Sequence, residues 1–265
     1  MLNRVAQNKY KLMACIIILY LVVDVLQHKG QTRVLFPENF AEVEKAPMLP
    51  QSKSILINTN KNWKKGINSR AQMNKLNAGL AGFECDVYFD TAKKIFDVHH
   101  DPGKSAGLNL EDLLKLYQQK KMSGGIWLDM KNLDSTNLRA VMQLLTRLRG
   151  GYALQNKILV ESGRADLLSA FSDSAFYTSY YTPFFNPYKI NSQQIKLWAD
   201  SISSVIGKSK VNALSGYYFQ CDFLHHYFAG YPVLTWVDDE PFSLVNHLFQ
   251  WKISANRAIY IALKP

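Results

Sequence analysis

The chain has 265 residues, with 31 Lys and Arg against 21 Asp and Glu, for a net charge of +10. A hydrophobic share of 48% with 12% aromatics excludes a disordered chain. Three scattered cysteines (Cys15, Cys85, Cys221) exclude a disulfide scaffold, and none sits in the CxxC or Cys/His spacing of a zinc site. The positive balance favours an anionic partner, whether nucleic acid, a membrane surface or a phosphorylated substrate.

Arg4, Lys9 and Lys11 precede an apolar run, Leu12 to Val23, which meets Asp24 and resumes as Val25-Leu26. This matches the apolar region of an export signal with its positive flank left in the cytoplasm. No small-x-small cleavage site follows cleanly. The segment therefore reads as an uncleaved signal anchor, with a cleaved signal or a buried helix as the other readings. As an anchor it makes a single-pass membrane protein with the remainder outside the cytoplasm; cleaved, it leaves a secreted protein. The helix is expected to stand clear of the downstream domain. The boundaries are then 1–28 for anchor or signal, 29–53 for a linker broken by Gly30, Pro37, Pro47 and Pro50, and 54–265 for a domain.

From Ile55 onward short apolar runs alternate with amphipathic stretches. The pattern predicts strands at Ile55–Asn58, Phe83–Phe89, Ile95–His99, Gly125–Met130, Lys157–Glu161, Phe176–Tyr181, Leu214–Phe219, Pro232–Val237 and Ala258–Ala262. Helices are predicted near 69–81, 109–121, 135–149, 164–172, 191–207, 222–229 and 242–251. Asn109, before Leu110-Glu111-Asp112, is a good N-cap with acids at the favourable end of the helix dipole. Alternating strands and helices give parallel strands with helical crossovers. The five residues joining Phe83–Phe89 to Ile95–His99 suggest a hairpin hung on an early strand. About 210 residues with eight such units predict an α/β fold, a TIM (β/α)8 barrel, preceded by the apolar helix and linker.

Three segments carry chemistry. Glu84 and Asp86 flank Cys85, and a strand's period of two puts both carboxylates on one face. Close buried acids raise each other's pKa unless a cation neutralises them, and such oxygen ligands suit Mg²⁺ or Ca²⁺. A salt-bridged or exposed strand face would give the same pair. Val98-His99-His100-Asp101-Pro102 brings a histidine near those acids, able to move protons near neutral pH, although two loop histidines need no function. In Trp127-Leu128-Asp129-Met130-Lys131-Asn132, Asp129 and Lys131 share a face, either as an ordinary ion pair or as a third ligand beside a phosphate-holding ammonium. Glu161 ends its strand; Trp236 sits in Leu234-Thr235-Trp236-Val237-Asp238-Asp239; and Tyr177, Tyr180 and Tyr181 crowd one strand end as core or pocket lining. His225-His226 read as packing or surface groups. The lysine clusters at Lys61, Lys64 and Lys65, at Lys93-Lys94 and at Lys120-Lys121 read as solvated faces, without a nucleic-acid-binding motif.

The stretches "GFECDVYFD…FDVHHDP", "LNLEDLL", "IWLDMKN" and "PVLTWVDDEPF…ANRAIYIALKP" resemble the glycerophosphodiester phosphodiesterase superfamily of phospholipase-C-like barrels. "INSRAQMNKLNAGLAGFECDV" with "GIWLDMKNL" is especially similar to its menorin-like branch. The resemblance implies a divalent cation (Mg²⁺ or Ca²⁺) held by Glu84, Asp86 and Asp129, His100 in acid/base catalysis and Lys131 on phosphate. It also implies an aromatic, Trp236, near the substrate. Glu161 reads from its own position as a candidate at the barrel mouth. The family's first strand ends in a second catalytic histidine; here an alignment places Asn58 or Lys65 there, and no histidine occurs between His28 and His99. Lys65 is the candidate to replace it. The implied function is metal-dependent hydrolysis of a small phosphodiester or a phospholipid headgroup. The alternative is an impaired barrel that binds a phosphorylated glycan or lipid headgroup.

Overall fold

The computed structural model describes residues 2–36, 39–44, 52–57, 60–238 and 240–265, excepting the side chains of residues 2–8 and 33. Eight parallel strands close into a barrel: β1 (Asn62–Lys64), β2 (Gly82–Asp90), β4 (Gly125–Met130), β5 (Ile158–Ser162), β6 (Tyr177–Tyr181), β7 (Ala213–Ser215), β8 (Val233–Trp236) and β9 (Ile259–Lys264). β1 pairs with both β2 and β9, which closes the ring. β3 (Ile95–Val98) runs antiparallel to β2 as the expected hairpin and carries His99 and His100 back towards the barrel mouth. Helices α3 (Arg70–Lys75), α4 (Leu110–Gln119), α5 (Leu138–Gly151), α6 (Ala165–Asp173), α7 (Ser192–Ser209), α8 (Cys221–Tyr227) and α9 (Leu244–Ala255) fill the connections. The fold is a TIM barrel.

Local sequence accounts for much of this. The Asn109 side chain accepts from the Asp112 N–H at 2.8 Å and starts α4, whose Leu110, Leu113, Leu114 and Tyr117 form the buried stripe. Asn191 and Gln194 cap α7 reciprocally. Along β2, Phe83, Cys85 and Val87 face the helices, so Glu84 and Asp86 face the interior.

The first strand differs from expectation. Residues 55–57 are not a strand; Leu56 plugs the barrel floor beside Trp63, Trp127, Leu159 and Tyr177. Its neighbour Ile57 donates its N–H to the Asn156 carbonyl at 2.7 Å. β1 is instead the short Asn62–Lys64, whose single apolar residue, Trp63, spans the floor. A Cβ on Gly82 or Gly125 would come within 2.3 Å or 2.2 Å of the Trp63 ring, so glycine is required at both. Asn58 lies outside the described residues. After Ser215 the chain leaves the sheet and turns through a 3₁₀ segment, Tyr218–Gln220, where the apolar run had suggested continued strand.

The N-terminal segment forms α1 (Leu2–Gln27), and Lys9–Gln27 is long and apolar enough to cross a membrane, with mean hydropathy 1.9 and little burial. It is not clear of the barrel: Asp24 and His28 are buried against the loop before α9. The expected linker begins with α2 (Lys29–Leu35), which packs on α9. Gly30 does not break that helix, and a Cβ there would come within 2.6 Å of the Tyr218 hydroxyl.

Candidate active site at the barrel mouth

The eight residues given a site role from the sequence line one cavity of about 370 Å³ at the carboxyl end of the strands: Lys65, Glu84, Asp86, His100, Asp129, Lys131, Glu161 and Trp236. Sheet register explains the convergence. Asp86 is paired with Asp129, and Asp129 with Glu161, so neighbouring strands present three acids at one level. Oxygens of Glu84, Asp86 and Asp129 lie within 4.8 Å of one another.

Each acid is held in place. Gly66, at φ +69°, turns its N–H to Glu84 Oε2 at 2.6 Å; this left-handed backbone suits glycine. Asn68 accepts from the Asp86 N–H at 2.9 Å and donates its side-chain amide to the Asp86 carboxylate. Lys131 Nζ lies 2.7 Å from Asp86 Oδ1 and also pairs with Asp129. Ser215 donates its hydroxyl to Glu161. Asn132 bonds both the N–H and carbonyl of Phe89, fastening the end of β4 to β2.

The electrostatics are those of an acid-rich site. Burial, and then the charge of Asp86, push the Glu84 carboxyl up to about 8, against the opposing Gly66 N–H. Burial raises Asp129, although Lys131 pulls the other way. Glu161 is raised well above its ordinary value by burial and by Asp129. Burial works against the Lys131 ammonium, but Asp129 and Asp86 hold it above the usual lysine range. Four acids thus share the cavity with one ammonium bound among them, and Glu84, Asp86 and Asp129 are a donor set fitted to a hard divalent cation.

The histidines divide their roles. His99 stacks on Tyr88, with ring centroids 4.3 Å apart, and its Nδ1 meets the Asp101 carbonyl at 2.8 Å. His100 lines the cavity, and its Nδ1 meets Asp101 Oδ1 at 2.8 Å. Lys65 also lines it, with Nζ 2.9 Å from Asp238 Oδ1. Of the three tyrosines at the end of β6, only Tyr181 reaches the cavity; Tyr177 fills the interior below and Tyr180 faces the helices. Tyr217 forms the rest of the aromatic wall, 5.0 Å from Trp236 by ring centroids. The sequence reading missed Tyr217, Ser215 and the role of Asn68. Its signal was the preceding Gly66, which frees the loop to fold under β2.

A closed barrel with acids and a lysine at the carboxyl end of its strands falls within the TIM-barrel proteins. Among solved structures it is similar to an Oleispira antarctica phosphodiesterase in complex with the product sn-glycerol-3-phosphate, with TM-score 0.53 and 14% identity, over 82% of this chain and 93% of that one. It is similar also to a glycerophosphodiester phosphodiesterase from Parabacteroides distasonis, with TM-score 0.51 and 16% identity, over 81% and 93%. The barrel fold is therefore that of the superfamily which the motifs resemble. No family model matches the chain, and no curated protein does. The menorin-like placement rests on the sequence motifs alone.

Proposed function

We propose that the chain is a metal-dependent phosphodiester hydrolase acting on glycerophosphodiesters or lipid headgroups. The observation that carries this is the meeting of Glu84, Asp86 and Asp129 with Lys131 in one cavity at the catalytic end of a TIM barrel. Glu84, Asp86 and Asp129 would hold Mg²⁺ or Ca²⁺. Such a cation supplies charge stabilisation for the phosphoryl oxygens. Lys131, already turned into the cluster, holds a phosphate oxygen. Asp101 engages Nδ1 of His100, which leaves Nε2 to move a proton at the substrate. A substrate hydroxyl attacks phosphorus, giving a cyclic phosphodiester as the bond to the departing alcohol breaks, and water then opens that ring to a phosphomonoester. The attacking hydroxyl loses its proton to one cavity group, and the alkoxide gains one from another. His100 serves one of these transfers, and Lys65, at the cavity rim, is the candidate for the part of the family's other histidine. Tyr181, Tyr217 and Trp236 wall the alcohol, and Glu161 bounds the floor of the pocket.

The test is turnover of glycerophosphocholine with added Mg²⁺ or Ca²⁺. Chelator-sensitive turnover supports the reading. A second reading, a barrel that binds phosphorylated headgroups without turnover, is favoured by the engagement of Lys65 with Asp238. Headgroup binding with no turnover in either cation would establish it.

We read α1 as a signal anchor that crosses the membrane once and leaves the barrel outside the cytoplasm. The basic flank at Lys9 and Lys11 supports this orientation. A reporter fused after Pro265 that is active only in the cytoplasm would refute it.

A further inference from the structure

The end of α1 is built into the face of the barrel that holds the cavity. The Val245 N–H donates to Asp24 Oδ2 at 3.0 Å, and Glu240 pairs with His28 Nε2. One turn nearer the N-terminus, the Tyr20 hydroxyl donates to the Phe242 carbonyl. These partners lie in, or just after, the stretch joining β8 to α9, a loop at the carboxyl end of the strands. In the same stretch Asp238 holds Lys65 at the cavity. Helix end and cavity mouth therefore meet through one short piece of chain.

Depth follows from helix geometry. Tyr20 precedes Gln27, the last residue of the apolar window, by about 10 Å at 1.5 Å per residue. The whole apolar window is about 28 Å long, close to the thickness of a hydrocarbon core, so a loop bonded to Tyr20 reaches the interface of a bilayer that the helix crosses and dips towards its acyl side. The Phe242 side chain there is 89% exposed. Phe184, in the loop after β6, is 64% exposed and packs edge-on against Tyr217 of the cavity wall, with centroids 4.9 Å apart. Exposed rings cost free energy in water, and aromatic side chains gather at the membrane interface.

We propose that the cavity opens onto the bilayer crossed by α1, with Phe242 and Phe184 set into the headgroup layer, and that the substrate is a phosphodiester carried by a membrane lipid. The substrate class rests on the phosphodiesterase reading; the placement rests on the helix and the loop. Neither phenylalanine lines the cavity.

The full chain is placed in phosphatidylcholine nanodiscs that carry lysophosphatidylcholine, lysophosphatidylethanolamine or lysophosphatidylglycerol, whose free glycerol hydroxyl can attack phosphorus. Its rate on these lysolipids is compared with its rate on the three matching water-soluble glycerophosphodiesters. The lysolipids should be the faster substrates. Phe242→Asp and Phe184→Asp should each lower the lipid rate at least about tenfold, the scale of one lost buried aromatic, while the soluble rate holds. Faster soluble substrates, or lipid rates indifferent to both variants, overturn the proposed substrate. A second measurement does not need turnover. With Cys15→Ser, the remaining cysteines Cys85 and Cys221 are buried, so Phe242→Cys takes a fluorescent label alone. Quenching by nitroxide lipids supports the placement; quenching by aqueous iodide only overturns it. No hydrolysis of either substrate class overturns the catalytic reading, and the label alone then decides the placement.

Discussion

Lys65 Nζ lies 2.9 Å from Asp238 Oδ1, which ties the segment after β1 to the loop after β8 across the cavity rim. Both side chains are partly exposed, so the pair contributes at most about 1 kcal/mol to stability. Its interest is chemical, because one of the two alignments sets Lys65 at the position of the family's missing histidine, the other setting Asn58 there. Lys65→Met keeps much of the stem and removes the amine. Turnover of glycerophosphocholine should fall at least about tenfold, the low side of a general acid/base contribution. Lys65→His should raise it. If both variants match the parent protein, Lys65 takes no part in proton transfer.

Removing one ligand should abolish cation binding. Glu84→Gln and Asp129→Asn retain shape while deleting a charge from the three-acid set. Calorimetry with Mg²⁺ and Ca²⁺ should show heat for the parent protein and none for either variant. Unchanged affinity in both would remove these carboxylates from any metal site. Lys131→Met should leave the cation bound and weaken phosphodiester binding, read as a raised KM.

The barrel floor makes a stability prediction. Gly82→Ala forces a methyl against the Trp63 ring, 2.3 Å from the nearest atom. Overpacking of this kind costs about 1–3 kcal/mol. Urea unfolding should show that loss, and Trp63→Leu in the same chain should recover part of it by opening space.

His28 makes the pH prediction. Burial pushes its imidazole down, but the hydrogen bond to Glu240, the Asp24 backbone and both carboxylate charges outweigh this and leave it raised. Ser243 Oγ also faces it, at 3.4 Å. A folded value above the unfolded one, about 6.5, means the protonated form strengthens docking. That stabilisation is fully present below about pH 6.5 and is lost as pH rises through the higher folded value. Melting of the parent protein against His28→Gln should therefore differ most near the acid end of this window and converge on the alkaline side. A difference that grows with pH would show that the neutral imidazole makes the better contact.

Much of the site was legible because strand periodicity is simple. Glu84 and Asp86, and Asp129 and Lys131, are each two residues apart, and parallel pairing of β2 with β4 sets them side by side. The capped, amphipathic α4 was equally plain. What failed was set by tertiary context. The Ile55-Leu56-Ile57 run has strand composition yet serves as a plug, while the true first strand, Asn62–Lys64, has one apolar residue. No local pattern marks a strand so short. Tyr217 and Ser215 were hidden because β7 ends three residues into an apolar stretch, which turns two side chains towards the mouth. The docking of α1 was also illegible: Asp24 looked like an interruption of the apolar run, and its partner, the Val245 N–H, lies 221 residues away.

The segment between helix and barrel is fastened where it is described. Phe40 packs against Tyr188 and Phe223, and the Val43 N–H donates to the Tyr227 hydroxyl at 3.1 Å. Farther on, the carbonyls of Ser52 and Ser54 accept from Asn212, on the opposite end of the barrel. With the helix end seated on the β8–α9 loop, the barrel has a mount and not a leash. A leashed domain tumbles and presents every side in turn, so most encounters with a surface are wasted. A mounted one cannot swivel. With α1 in a membrane, as proposed, its aspect towards that membrane is decided once, during folding, and two-dimensional diffusion supplies the remaining search.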